Sequence, residues 1–136
     1  MFGSFGTSAY AQVSVETGVA AADPHKLIGM LYEGLLQSLA QAREAMLAND
    51  TARKGETLSK SIRILEEGLR GSLDRKRGGD IAAQLDSLYE YMVMRLLSAN
   101  LKNDMTALDE AARLITELRD AWQAMPQDAR TSMAAA

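Results

Sequence analysis

Four stretches of the chain repeat apolar residues at intervals of three, four and seven positions, the spacing of one face of an α-helix. The first runs through Leu27, Met30, Leu31, Leu35, Leu39, Ala42 and Met46. Asp23-Pro24 precedes it, a good N-cap followed by a residue pre-set for the first helical position, and Asn49-Asp50 breaks it. The second, over residues 51–73 with Asp50 as cap, carries Leu58, Ile62, Leu65, Leu69 and Leu73. Gly55, Gly68 and Gly71 interrupt it, which suits either close packing on a neighbouring helix or a notch for a partner. Asp74 to Gly79 reads as a turn, where Arg75, Lys76 and Arg77 follow the C-terminal end of the second helix and complement its dipole. The third helix starts at Asp80 as cap, with Ile81, Leu85, Leu88, Met92, Leu96 and Ala99 as its stripe. The fourth follows a break at 101–104 with Met105, Leu108, Ala112, Ile115, Leu118 and Trp122, and Pro126 stops it. Short connections make successive helices antiparallel neighbours, so the expected fold is all-α, an antiparallel up-down four-helix bundle over residues 23–126.

Residues 1–22 break this pattern. They are rich in Gly, Ser, Ala and Thr, carry Glu16 as their only charge, and spread Phe2, Phe5, Tyr10, Val13, Val15 and Val19 among small residues. They are expected to form a flexible arm with apolar anchors that caps the bundle. Residues 127–136 are expected to be a frayed tail.

The helices have more apolar residues than a bundle stripe of about three positions in seven requires. The first adds Ile28, Tyr32, Leu36 and Leu47, the second Ile64, the third Tyr89, Val93, Met94 and Leu97, and the fourth Ala111 and Leu114. Periodicity alone supports two readings: a wide core face, or a groove that accepts helices from a partner, with Met30, Met92, Met94 and Met105 as adaptable contacts.

Composition supports the helical reading and removes most chemistry. Hydrophobic residues make up 47% of the 136 residues and aromatic ones 5%, with Leu, Ala and Met abundant. There is no cysteine, so disulfide and thiolate chemistry are excluded. A formal net charge of −3 offers no global attraction to nucleic acid. The N-terminus lacks the pattern of a secretory signal, and no segment approaches a membrane span, so a cytoplasmic location without membrane insertion is expected. His25 is the only histidine and reads as a surface residue in the first turn of the first helix. Glu66-Glu67 and Asp109-Glu110 point in different directions on a helix, and Asp86/Glu90 read as a solvated face. No metal-ligand spacing or phosphate loop is present, so no enzyme activity and no cofactor are expected. Arg75-Lys76-Arg77 lacks flanking aromatics and reads as a solvated turn rather than a nucleic-acid contact.

The order of several segments resembles the flagellar secretion chaperone family FliS. They are Ala9-Tyr10-Ala11-Gln12-Val13, Asp23-Pro24-His25-Lys26-Leu27-Ile28, and Met30 to Gly34. Further on come Lys60-Ser61 with Ile64-Leu65, and Leu73-Asp74. The most specific stretch is Gly79, Ile81-Ala82, Leu85, Leu88 to Met92, Arg95-Leu96, Ala99-Asn100 and Asn103-Asp104, and Ala121-Trp122 closes it. Two departures stand out: Ser61 sits where the family often has Ala, and the turn at Arg75 to Arg77 is more basic than expected.

The resemblance implies an antiparallel four-helix bundle that binds the disordered C-terminal region of flagellin in the cytosol. It implies that the chaperone prevents premature polymerisation and aids delivery to the type III export gate, with the arm around Tyr10 linked to docking on the gate component FlhA. The residues expected to meet partners are Tyr10 and Val13 on the arm, Leu58, Ile62, Leu65, Leu85, Leu88, Tyr89 and Met92 facing either core or groove, and Asn100, Asn103 and Asp104 at the last helix junction. Those last three serve either as caps or as hydrogen-bond partners of flagellin backbone. A monomer or weak homo-oligomer is expected. The rival reading is a self-associating bundle with a structural or regulatory role.

Overall fold

The computed structural model describes residues 24–125. The expected arm, the Asp23 cap, the Pro126 stop and the tail lie outside these residues. Four helices follow one another: α1 (Pro24–Leu47), α2 (Thr51–Arg63), α3 (Arg75–Lys102) and α4 (Met105–Ala124). Between α2 and α3 the helical path continues as a π-helical segment, Ile64–Leu69, and a 3-10 turn, Arg70–Ser72.

Side-chain pairs fix the helix directions. Arg43 meets Asp109 at 3.0 Å and Glu33 meets Arg119 at 2.9 Å, so α1 and α4 run antiparallel. Arg95 meets Glu110 at 2.7 Å, so α3 and α4 do too. Lys54, at the start of α2, donates to the carbonyl of Asn100 at the end of α3, while Arg70 pairs with Asp86 at the opposite end. The fold is an all-α helical bundle.

Caps set most boundaries. The carboxylate of Asp50 accepts from the Arg53 N–H, and that of Asp104 from the Ala107 N–H. Asn103 closes α3 in the left-handed region with φ 54°, a conformation Asn tolerates better than most residues.

The α2–α3 junction departs from the turn expected there. Asp74 caps α3, its side chain accepting from the N–H groups of Lys76 and Arg77. Arg75 to Gly78 therefore form a first helical turn, and Gly79 kinks the path with φ 53° and ψ −129°, a region close to glycine-only. The three cations thus stand at the N-terminal end of α3, the unfavourable end of its dipole, rather than in a turn at the favourable end of α2.

The core runs through all four helices. Leu35, Leu58, Met92, Leu96 and Ile115 are fully buried. Of the surplus apolar residues on the first helix, Ile28 and Tyr32 belong to this core and Leu36 packs against it. Gly68 lets the π segment approach α1, because a Cβ there would lie 3.1 Å from Leu31 Cδ2. Gly55 and Gly71 make no such contact; a Cβ on Gly71 would meet only the Glu66 carbonyl at 3.8 Å. Ser61, buried where an alanine would have served for size, is satisfied: its hydroxyl lies 2.8 Å from that of Ser38 and 2.9 Å from the Thr57 carbonyl.

Candidate functional site

Two apolar features reach solvent. The first is a stripe on α3. Met94, Leu97 and Leu101 follow one another at intervals of three and four and share one face of the helix. They are 62%, 48% and 84% exposed, whereas Tyr89, Met92, Leu96 and Ala99 on the opposite face are buried. A row of exposed large apolar side chains leaves burial free energy unused, at roughly 25 cal/mol per Å².

The second feature is a small cleft between α1, the segment that follows α2, α3 and α4, about 20 Å³ in volume and open in part to solvent. Ile28 and Tyr32 of α1, Leu69, Ser72 and Leu73 after α2, Leu85 and Tyr89 of α3, and Trp122 of α4 line it. Each wall has a local cause. The 3-10 turn brings Ser72 back so that its hydroxyl donates to the Gly68 carbonyl. Leu73 then leaves the helix in extended conformation. Trp122 is anchored by its indole N–H, which donates to the carbonyl of His25 at 3.1 Å. His25 is accordingly half-buried beside Trp122, with ring centroids 6.4 Å apart, and is not the surface residue expected.

Beneath the cleft the Tyr32 and Tyr89 hydroxyls share a buried hydrogen bond of 2.6 Å. Burial pushes the Tyr32 hydroxyl above its ordinary value, only partly offset by the bond to Tyr89, so Tyr32 stays neutral at physiological pH.

Beside the cleft lies an ionic cluster. Arg70 reaches Glu66 at 2.7 Å, Asp86 at 2.9 Å and Glu90 at 3.3 Å, and Arg75 reaches Asp86 at 2.8 Å. The Arg70 hydrogen bond, with Arg75 behind it, holds the Asp86 carboxyl below the usual carboxylate range. Asp86 is therefore clamped by the α2–α3 junction and is not the plainly solvated residue expected, whereas Glu90 is exposed as expected, its side chain 67% accessible. A carboxylate held ionised by guanidinium groups is poorly suited to general acid work. Among the described residues no group of three or more His, Cys, Asp or Glu side chains could hold a metal.

The residues singled out from the sequence fall into separate places. Leu58, Leu65, Tyr89 and Met92 are buried, while Ile62, Leu85 and Leu88 are half-buried against the core. Of these, Leu85 and Tyr89 also line the cleft. Asn103 and Asp104 act as caps, and the carbonyl of Asn100 accepts from Lys54. Tyr10 and Val13 lie outside the described residues. In the sequence Met94 stands among the surplus apolar residues and the adaptable methionines of a groove, Leu97 among the surplus alone, and Leu101 in the break before the fourth helix. A count of apolar residues on each helix face beyond the core stripe is the signal that would have found all three.

An antiparallel helical bundle that leaves a stripe of large apolar side chains exposed has the surface of an interaction protein. Comparison with known proteins gives the class its name. Residues 6–129 match the model of the family described as flagellar protein FliS. The chain is 46% identical over 123 residues to the flagellar secretion chaperone FliS of Salmonella typhimurium, covering 90% of this chain and 91% of that one. It is 48% identical over 113 residues to the flagellar secretion chaperone FliSB of Pseudomonas aeruginosa, covering 83% and 89%. With the Bacillus subtilis flagellar secretion chaperone FliS it shares 38% over 123 residues, covering 90% and 87%. The chain belongs to the FliS family, a family of chaperones and not of enzymes. Its role is that of a flagellar export chaperone.

Proposed function

We propose that the chain binds the disordered C-terminal region of flagellin in the cytosol, keeps it from polymerising early and aids its delivery to the export gate through FlhA. The observation that carries this reading is the exposed stripe of Met94, Leu97 and Leu101 on α3. An amphipathic segment that folds into a helix on this face would bury its own apolar side chains and those of the stripe together. Coupled folding opposes binding by about 2–5 kcal/mol in ordering, so a sizeable apolar contact is needed and moderate affinity results. Moderate affinity suits a client that must be released for export.

The arm has a place in this reading. Helix α1 begins at Pro24, one turn before Ile28 in the cleft wall. We propose that residues 1–22 form the arm, with Tyr10 and Val13 as the anchors that cover this end of the bundle in the free chain and are released for docking on FlhA. The domain reading is that of an arm at 1–22, a bundle at 23–126 and a tail at 127–136.

The test is size-exclusion chromatography of the chain with and without a flagellin C-terminal fragment, repeated with Leu97→Glu/Leu101→Glu. A one-to-one complex is expected for the parent chain, and a loss of affinity of roughly tenfold or more for the double variant, whose carboxylates would be desolvated on binding. A stable homodimer that ignores the fragment would instead establish the self-associating reading. Equal binding by parent and variant would remove the stripe from the site.

A further inference from the structure

The described methionines divide sharply by exposure. Met92 is fully buried and Met46 nearly so, while Met30, Met105 and Met125 are half-buried. Among the described residues Met94 is the one methionine that stands open to solvent. It sits in the middle of the apolar stripe of α3. Tyr91 lies one turn before it, Leu97 one turn after, and Leu101 beyond, all of them exposed.

A thioether differs in reactivity from the aliphatic side chains around it. Its sulfur attacks peroxides, and the product is a sulfoxide, polar and chiral where the parent was apolar. Leucine is close to methionine in volume and lacks this chemistry. The residue type at position 94 therefore decides more than packing.

From this placement we infer that Met94 is an oxidation-sensitive site in the client surface, where a hydroperoxide converts the thioether to the sulfoxide and weakens client binding. The inference rests on the client reading above and adds a regulation of the same stripe. With hydrogen peroxide, a lone pair of Met94 Sδ attacks one peroxide oxygen. The S–O bond forms as the O–O bond breaks, and the other oxygen takes up the proton and leaves as water. The sulfur is oxidised and the peroxide is reduced by the same electron pair.

The fold makes the effect selective. Exposure opens Met94 to the oxidant and to the reductases that reverse the reaction, whereas Met92, two positions away, is shielded in the core. A sulfoxide at position 94 stays hydrated in the free chain and leaves the bundle intact. Only a client helix laid over the stripe strips water from the S–O group, so the penalty falls on the complex alone.

The test is graded hydrogen peroxide treatment of the full chain and of Met94→Leu, stopped with catalase before a labelled flagellin C-terminal fragment is added. Peptide mass mapping, thermal unfolding and fluorescence anisotropy follow, each protein being compared with its own untreated sample. Met94 should gain an oxygen ahead of Met92 and Met46, with the melting temperature unchanged. Affinity for the fragment should fall roughly three- to tenfold. Methionine sulfoxide reductases for both epimers should restore it, and Met94→Leu should keep its affinity through the treatment. Oxidation of Met92 as fast as Met94, or an equal loss of affinity by Met94→Leu, would overturn the inference. If the chain oxidised at Met94 binds the fragment as tightly as before, the inference fails while the client reading stands. If the untreated chain binds no fragment, the client reading fails and this inference with it.

Discussion

At the residue scale, the buried polar groups show which side chains are paired by design. The Tyr32 and Tyr89 hydroxyls satisfy one another across the bundle, 57 positions apart in sequence. Removing either hydroxyl deprives the other of this buried bond, so Tyr32→Phe or Tyr89→Phe should each cost about 1–3 kcal/mol, whereas the double change should cost less than the sum of the two. Urea unfolding of the four proteins measures this, and simple additivity would deny the pair its role. Neither hydroxyl contact was legible in the sequence. Periodicity marks Tyr32 as a surplus apolar residue and Tyr89 as one that faces either core or groove, since it places a residue on a face without naming its opposite number. Ser61 is a similar case: its type looked like a tolerated exchange, and only the packing of α1 on α2 shows Ser38 and Thr57 waiting for it.

At the scale of elements, the caps were the readable part. Asp50 and Asp104 begin α2 and α4 where the sequence places them, because a carboxylate before an apolar-periodic run has few other local uses. The α2–α3 junction was misread for an equally local reason. The sequence reading caps the third helix at Asp80, because Gly78-Gly79 beside three cations has the composition of a turn. In the structure Asp74 is the cap instead, with Gly79 absorbing the bend. Gly79→Ala should therefore destabilise by about 1–2 kcal/mol through its positive φ alone, since a Cβ there meets nothing within 4 Å. Gly55→Ala, inside α2 and equally free of neighbours, should stabilise by about 0.5–1 kcal/mol. Thermal unfolding should show melting temperatures moving in opposite directions; a shared direction would contradict this assignment.

The same junction sets a pH dependence. Asp86 has a folded pKa lowered by Arg70, so its contribution is present above the ordinary carboxylate range, near pH 4, and is lost as pH falls through its folded value. Asp86→Asn should cost about 1 kcal/mol at neutral pH, the Arg70 and Asp86 side chains being 21% and 23% exposed. That deficit should shrink as pH falls below the ordinary carboxylate range, where the unfolded chain takes up the proton before the folded one does. Parallel stability curves for parent and variant across this range would show that the clamp carries no linkage.

At the scale of the whole molecule, the all-α bundle followed from the four periodic stretches, and the family from the order of many short segments. The binding surface did not follow in the same way. Among residues of equal hydrophobicity, Met92 is buried and Met94 is exposed, two positions apart. Which of them faces a neighbour depends on how α3 is rotated against α2 and α4, and that is fixed by packing across the bundle. The surplus apolar character of the third helix was legible, but its division into core, cleft and open stripe was not. No helix among the described residues is long and apolar enough to cross a membrane, so the stripe has no lipid-spanning explanation.

The account turns on a bundle that holds a client segment which folds against it. Calorimetric titration of the full chain with a flagellin C-terminal fragment, with far-ultraviolet circular dichroism of the same mixture, tests this most directly. The account predicts one fragment per chain, a negative heat-capacity change from apolar burial, and more helix in the mixture than in the two components separately. Absence of heat at any temperature, or binding without a gain in helix, would contradict it.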